Sequence, residues 1–270
     1  MPIFGTDWSV MRALLFVSLL LLPNLASAGI LDVCQGFLDF GRHVTGTSTP
    51  ESKARRMWNE LQTFWAKQFK DSGFKWRQPK LVLYTEVCDT ACGEFDSDSG
   101  PFYCPEDDTT YIDLSFFDEI AKKRHIFGEA FVRYVLSHEM GHHVAILFGV
   151  DEKLSSVNSC FNSGAASAKI QPLTSKTKEL TAEALAGYFL GHREPKMSPS
   201  DLERQLYFSW SFGDDVIERV FKYDTSHDPH GTGEERKGRL AQGIVADSPH
   251  DVISYSYSTL DYETQKLPAN

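Results

Sequence analysis

Residues 131–149 read FVRYVLSHEMGHHVAILFG. The pattern belongs to a long helix expected from Phe127 to Phe148 and ended by Gly149. Within it stands His138-Glu139-Met140-Gly141-His142. On a helix, positions i and i+4 share a face, so the two imidazoles lie side by side. That spacing suits a single metal ion, with nitrogens about 2.0–2.1 Å from a zinc. Glu139 lies one position round the helix, where it can take a proton from a water activated by that metal. Phe131, Val135 and Ala145 supply apolar flanks, and Gly141 permits close approach of another backbone.

A catalytic zinc needs a third protein ligand. Glu179 and Glu183, in Glu179-Leu180-Thr181-Ala182-Glu183, again stand at i and i+4. Ala182, Ala184, Leu185, Ala186 and Gly187 surround them, as expected of a packed helix rather than a solvated one. Glu179 is the favoured third ligand, with Glu183 steadying a ligand histidine from behind. His227, His230 and His250 are the alternatives; no H-x-x-G-x-x-H continuation follows His142 to support a three-histidine arrangement.

Working outward, Thr49-Pro50-Glu51 reads as a helix start. Trp58, Leu61, Trp65 and Phe69 then follow at spacings of three and four, the mark of a helix with one buried face. Lys80 to Thr85 and Tyr111 to Leu114 read as strands separated by a Gly/Pro/Asp-rich stretch. Downstream, a Ser/Asn/Gly-rich linker around 155–168 precedes a helix from Leu173 to Leu190. Ser198-Pro199-Ser200-Asp201 opens another helix, Gly213-Asp214-Asp215 breaks it, and Thr232 to Gln242 forms a last one. The tail beyond Asp247 carries no clear pattern. The sum is a mostly helical α+β fold, with a small sheet before the helix that carries the histidines.

The 270 residues have a net charge of −10, with 41% hydrophobic and 13% aromatic content. This supports a sizeable core. The acidic balance argues against nucleic-acid partners and against docking on anionic membranes. Arg12, the apolar run Ala13 to Leu22, Pro23 and the small-x-small Ala26-Ser27-Ala28 predict a signal peptide over 1–28, cleaved after Ala28. Met11 to Ala28 is itself a complete signal. Val33 stands before Cys34 where a lipid-attachment box needs a small residue. The expectation is a periplasmic or secreted protein without stable membrane insertion, residues 29–270 forming one domain with an insertion-like loop at 151–178. Five cysteines, Cys34, Cys88, Cys92, Cys104 and Cys160, leave at least one unpaired within the chain. Disulfides suit an exported chain. Cys88-x3-Cys92 also has tolerable zinc-ligand spacing, though no second close pair completes it.

Four blocks resemble the neutral zinc metallopeptidase family of bacteria. They are Gly100-Pro101-Phe102-Tyr103-Cys104-Pro105 with Tyr111 to Phe117, Ser137 to Val144, Glu179 to Gly187, and His230-Gly231-Thr232 with Glu235-Arg236. The resemblance runs from about Lys80 to Gly243. It implies a zincin-like metallopeptidase fold, Zn2+ held by His138, His142 and Glu179, a peptide or protein substrate, and a Cys92–Cys104 bridge. Glu183 departs from the family pattern, which has Asp there. Cys34 and Cys88 lie outside the blocks. Peptide hydrolysis also needs a donor to the developing oxyanion. His230 is the first candidate and Tyr188 the second. The competing expectation is an inactive zinc-stabilised module that binds an envelope partner.

Overall fold

The computed structural model describes residues 49–85, 88–95, 100–126, 128–160, 164–222, 224–225 and 229–267, all within one compact unit, Ser48–Asn270. The expected signal peptide, Cys34 and His227 lie outside the described residues. Helix α1 (Pro50–Asp71) starts as expected. The Thr49 hydroxyl accepts from the Ser52 amide at 3.1 Å, Pro50 takes the first turn, and Ala54, Met57, Trp58, Leu61, Trp65 and Phe69 are buried. Burying each of the large side chains contributes about 1.5–3 kcal/mol, so this face pins α1 to the core.

The sheet has three strands in the order β1 (Lys80–Tyr84), β5 (Thr109–Asp113), β4 (Phe102–Cys104). β1 runs parallel to β5, with Lys80 opposite Thr109, and β4 runs antiparallel to it, with Phe102 opposite Tyr111. Central β5 is buried at every position. A separate hairpin joins β2 (Cys88–Thr90) to β3 (Gly93–Phe95). The disulfide Cys92–Cys104 clips this hairpin to β4. Cys88 and Cys160 carry free thiols, and with Cys92 bonded to Cys104 the Cys88-x3-Cys92 metal alternative is removed.

Asp113 ends β5 and caps α2 (Leu114–Arg124), accepting from the Ser115 amide at 2.8 Å. Helix α3 (Glu129–Leu147) carries the histidines and is buried on nearly all sides from Tyr134 to Ala145. It starts two residues later than expected because Gly128 takes φ +89°. It packs on α1, on β4 and on three later helices: α4 (Val150–Cys160), α5 (Gly164–His192) and α6 (Pro199–Ser211).

The expected loop at 151–178 is instead helical wherever it is described, forming α4 and the first half of α5. Ser159, in the stretch that suggested a linker, bonds back to the Ser156 carbonyl, and further along Thr174 bonds back to Gln171 and Thr177 to Leu173. They therefore do not compete with the helix. Val150 and Leu154 bury one face of α4. The chain closes with α7 (Asp214–Phe221), α8 (Gly233–Val245) and α9 (Pro249–Thr264). Helix α9 occupies the tail in which no element was expected. No helix of the described residues is long and apolar enough to cross a membrane.

α5 and α8 meet main chain to main chain. A Cβ at Gly187 would stand 2.1 Å from the Leu240 carbonyl oxygen, and one at Gly243 would stand 1.8 Å from that of Ala184. Any side chain there would force the helices apart, so their separation is set by backbone contact.

Candidate metal centre

Two helices build the site. α3 presents His138 and His142 one turn apart, and α5 presents Glu179 and Glu183 one turn apart. Gly141 lets the helices close: its Cβ would stand 2.3 Å from the Ala182 carbonyl oxygen. As a result, Glu179 Oε2 lies 3.2 Å from His138 Nε2, and Glu179 Oε1 lies 3.4 Å from His142 Nε2. One ligand atom from each of His138, His142 and Glu179 falls within 4.8 Å of the others, the only such cluster among the described residues. Two imidazole nitrogens and a carboxylate oxygen on a largely buried floor form a donor set suited to zinc. The residues present therefore fit the ion that the motif calls for.

Behind this cluster lies a second one. Glu183, wholly buried, has Oε2 3.0 Å from His138 Nδ1. That is pairing distance, although the contact is off the straight hydrogen-bond line. Arg236 Nη2, on α8, donates to Glu183 Oε2 at 2.7 Å and to the Tyr134 hydroxyl oxygen at 3.0 Å. The Tyr134 hydroxyl reaches both oxygens of Glu183, at 3.1 and 3.2 Å.

The charges follow from these contacts. Burial opposes the ionised form of Glu183, but Arg236 and then His138 outweigh it and hold the carboxyl down at about 2. Burial also opposes ionisation of Glu179, and the two imidazoles hold it well below the usual carboxylate range. For His138, burial disfavours the charged ring. The carboxylates of Glu179 and Glu183 override it and push the ring up to about 9. Glu139 differs: burial raises it and the neighbouring rings only partly offset the rise.

The adjacent His143 turns away from the centre. Its Nε2 donates to the Arg77 carbonyl at 2.6 Å, and its Nδ1 lies 2.9 Å from the Tyr103 hydroxyl. Burial holds it neutral, at about 4. Helical phase alone assigns the two neighbours opposite jobs: His142 faces α5 and His143 faces the sheet.

His230 stands at the rim, its side chain 43% exposed, with Nε2 4.0 Å from Glu179 Oε2. Its loop is clamped from the start of α7. Asp214 accepts from the amides of His230 and Gly231 at 3.2 and 2.7 Å, and Asp215 accepts from the Gly233 amide at 2.7 Å. Tyr188, the other oxyanion candidate, points elsewhere. Its hydroxyl donates to Gln68 on α1 at 3.1 Å and its ring stacks on His192. His250 is exposed on α9, outside the cluster.

Sequence reasoning gave no role at the site to Tyr134, Asp214 or Arg236. Signals for two of them existed. Tyr134 precedes His138 by one turn, and a buried acid at 183 requires a cationic partner.

A mostly helical α+β fold with a small sheet before the site helix, and a His-His-Glu cluster, define a zincin-like architecture. Residues 45–255 match the family model described as "Putative neutral zinc metallopeptidase", and the chain belongs to that family. Its relatives include "Uncharacterized protein YpfJ" of Escherichia coli strain K12, 35% identical over 199 residues, covering 72% of this chain and 67% of that protein. Another is "Uncharacterized protein Rv2575" of Mycobacterium tuberculosis strain H37Rv, 28% identical over 199 residues, covering 68% and 64% respectively. No solved structure matches the chain.

Proposed function

We propose that this chain is a zinc-dependent metallopeptidase that hydrolyses peptide bonds in an exported compartment, with Zn2+ held by His138, His142 and Glu179 and with Glu139 as general base. The observation that carries the reading is the convergence of those three side chains on one point beside Glu139. When bound, the ion supplies Lewis acidity toward the scissile carbonyl and lowers the pKa of water toward about 7.

Glu139 accepts a proton from the attacking water as its oxygen adds to the carbonyl carbon. It then delivers that proton to the leaving amine nitrogen as the C–N bond breaks. His230, exposed at the rim and clamped by Asp214, donates to the oxyanion that forms on the former carbonyl oxygen. Glu183 stays ionised behind His138 and takes no part in proton transfer.

The Cys92–Cys104 disulfide supports a periplasmic or secreted location, where such bonds persist. Metal analysis of the purified protein, joined to a mass-spectrometric peptide cleavage screen with and without chelator, tests the whole reading. One zinc per chain and chelator-sensitive cleavage are expected. Bound zinc with no cleavage of any peptide would instead mark an inactive zinc-stabilised module.

A further inference from the structure

We infer that Arg236 is the positioning residue of the metal centre, setting the orientation of His138 through Glu183 and Tyr134. The inference rests on the reading of His138, His142 and Glu179 as metal ligands.

Three helices meet at the Glu183 carboxylate. α8 brings the Arg236 guanidinium, 2.7 Å from Oε2. α3 brings the Tyr134 hydroxyl, within 3.2 Å of both oxygens. α3 also brings His138 Nδ1, 3.0 Å from Oε2. Arg236 and Tyr134 are themselves joined at 3.0 Å. The triangle of Arg236, Tyr134 and Glu183 therefore leaves the carboxylate no free rotation, and the oxygen that Arg236 holds is the one that faces His138. With Nδ1 turned to that oxygen, Nε2 is turned to Glu179 and to the ligand cluster.

Two further features favour a positioning role over a simple helix-to-helix tie. All four side chains are buried, with Arg236 only 4% exposed. A buried ion pair gains little over well-packed apolar residues of the same volume, because desolvation offsets the attraction. The reach of Arg236 is also set from the backbone, because α8 and α5 touch main chain to main chain at Gly187 and Gly243. The backbone that carries Arg236 therefore stands at a fixed distance from the backbone that carries Glu183.

The test uses the full chain with Arg236→Gln and Arg236→Lys, and with Arg193→Gln as a control that breaks the Arg193–Glu60 ion pair at the far end of α5. Zinc affinity is measured by competition with a chromophoric chelator on protein shown by circular dichroism to be folded. The visible absorption of the Co2+-substituted protein reports coordination geometry. Loss of a residue that orients a metal ligand weakens binding by about 10–100-fold. That loss and an altered Co2+ band are expected for Arg236→Gln. A smaller loss is expected for Arg236→Lys, which keeps the positive charge but replaces the rigid planar guanidinium with a rotatable ammonium on a flexible stem. Arg193→Gln should lower the melting temperature and leave both metal readouts unchanged. Wild-type zinc affinity and Co2+ spectrum in folded Arg236→Gln would overturn the inference; if that variant does not fold, the same result in Arg236→Lys overturns it. None of these readouts needs turnover. A wild-type protein that binds zinc but cleaves nothing removes the peptidase reading and leaves this one standing.

Discussion

Gly141 on α3 lies directly against the carbonyl of Ala182 on α5, with no room between them for a methyl group. This contact sits between His138 and His142 on one helix and between Glu179 and Glu183 on the other, so it sets the distance across the ligand cluster. Gly141→Ala should destabilise the fold by about 3 kcal/mol, the upper end of ordinary overpacking, because rigid main chain must yield. It should also lower zinc occupancy in the fraction that folds. Gly238→Ala on the open face of α8, where nothing lies within 4 Å, should stabilise by about 0.5–1 kcal/mol. Urea denaturation of the pair reads both values, and equal effects would remove the close contact as the cause.

Glu139→Gln keeps the shape of the side chain and removes its basicity. Zinc content should remain at one per chain while peptide cleavage falls roughly a hundredfold to ten-thousandfold. Cleavage at the wild-type rate would exclude Glu139 from proton transfer.

His142 and His143 make a contrast within one dipeptide. His142→Ala should abolish tight zinc binding. His143→Ala should leave zinc stoichiometry intact in folded protein. It should cost about 2 kcal/mol of stability, because the Arg77 carbonyl and the Tyr103 hydroxyl each lose a buried partner. Metal analysis beside thermal melts separates the two outcomes, and the reverse pattern would show that the ligand assignment is off by one residue.

Glu60 accepts from Arg133 at 2.7 Å and from Arg193 at 2.6 Å, tying α1 to α3 and to the end of α5. Burial alone would raise this carboxyl, but the two guanidinium groups outweigh it and hold it below its ordinary value. A carboxyl depressed in the folded state stabilises fully above its unfolded pKa of about 4.3, and the contribution fades as pH falls through the folded value. The melting-temperature gap between wild type and Glu60→Gln should therefore stay constant from pH 8 to about 6 and narrow below about 4.3. Near neutrality the substitution should cost about 1–2 kcal/mol. A gap that widens on acidification would reverse the sign of the argument.

Much of the architecture was legible because local rules agreed with tertiary ones. Thr49-Pro50 opened α1, Ser198-Pro199 opened α6, and the spacing of Trp58, Leu61, Trp65 and Phe69 named the buried face. The i, i+4 pairs told which side chains share a side, and the helices then met on those sides. What stayed hidden depended on partners distant in sequence. The Ser/Asn/Gly-rich stretch around 155–168 looked like a linker because nothing local shows that hydroxyls will bond to their own helix. The tail after Asp247 held Ser248-Pro249-His250-Asp251, the same opening as Ser198-Pro199-Ser200-Asp201. Its aromatic and serine content masked the signal. Arg236 sits 53 residues from Glu183, and no spacing rule spans that interval.

The glycine contacts have a thermal consequence. Side chains loosen on warming by hopping between rotamers, which lets cavities breathe before a fold melts. Main chain resting on main chain has no such slack. Where α3, α5 and α8 touch through Gly141, Gly187 and Gly243, the helices must separate outright or stay in place. Heating should therefore release the metal and dissolve the helices in one transition, with no temperature range in which the protein is folded but empty.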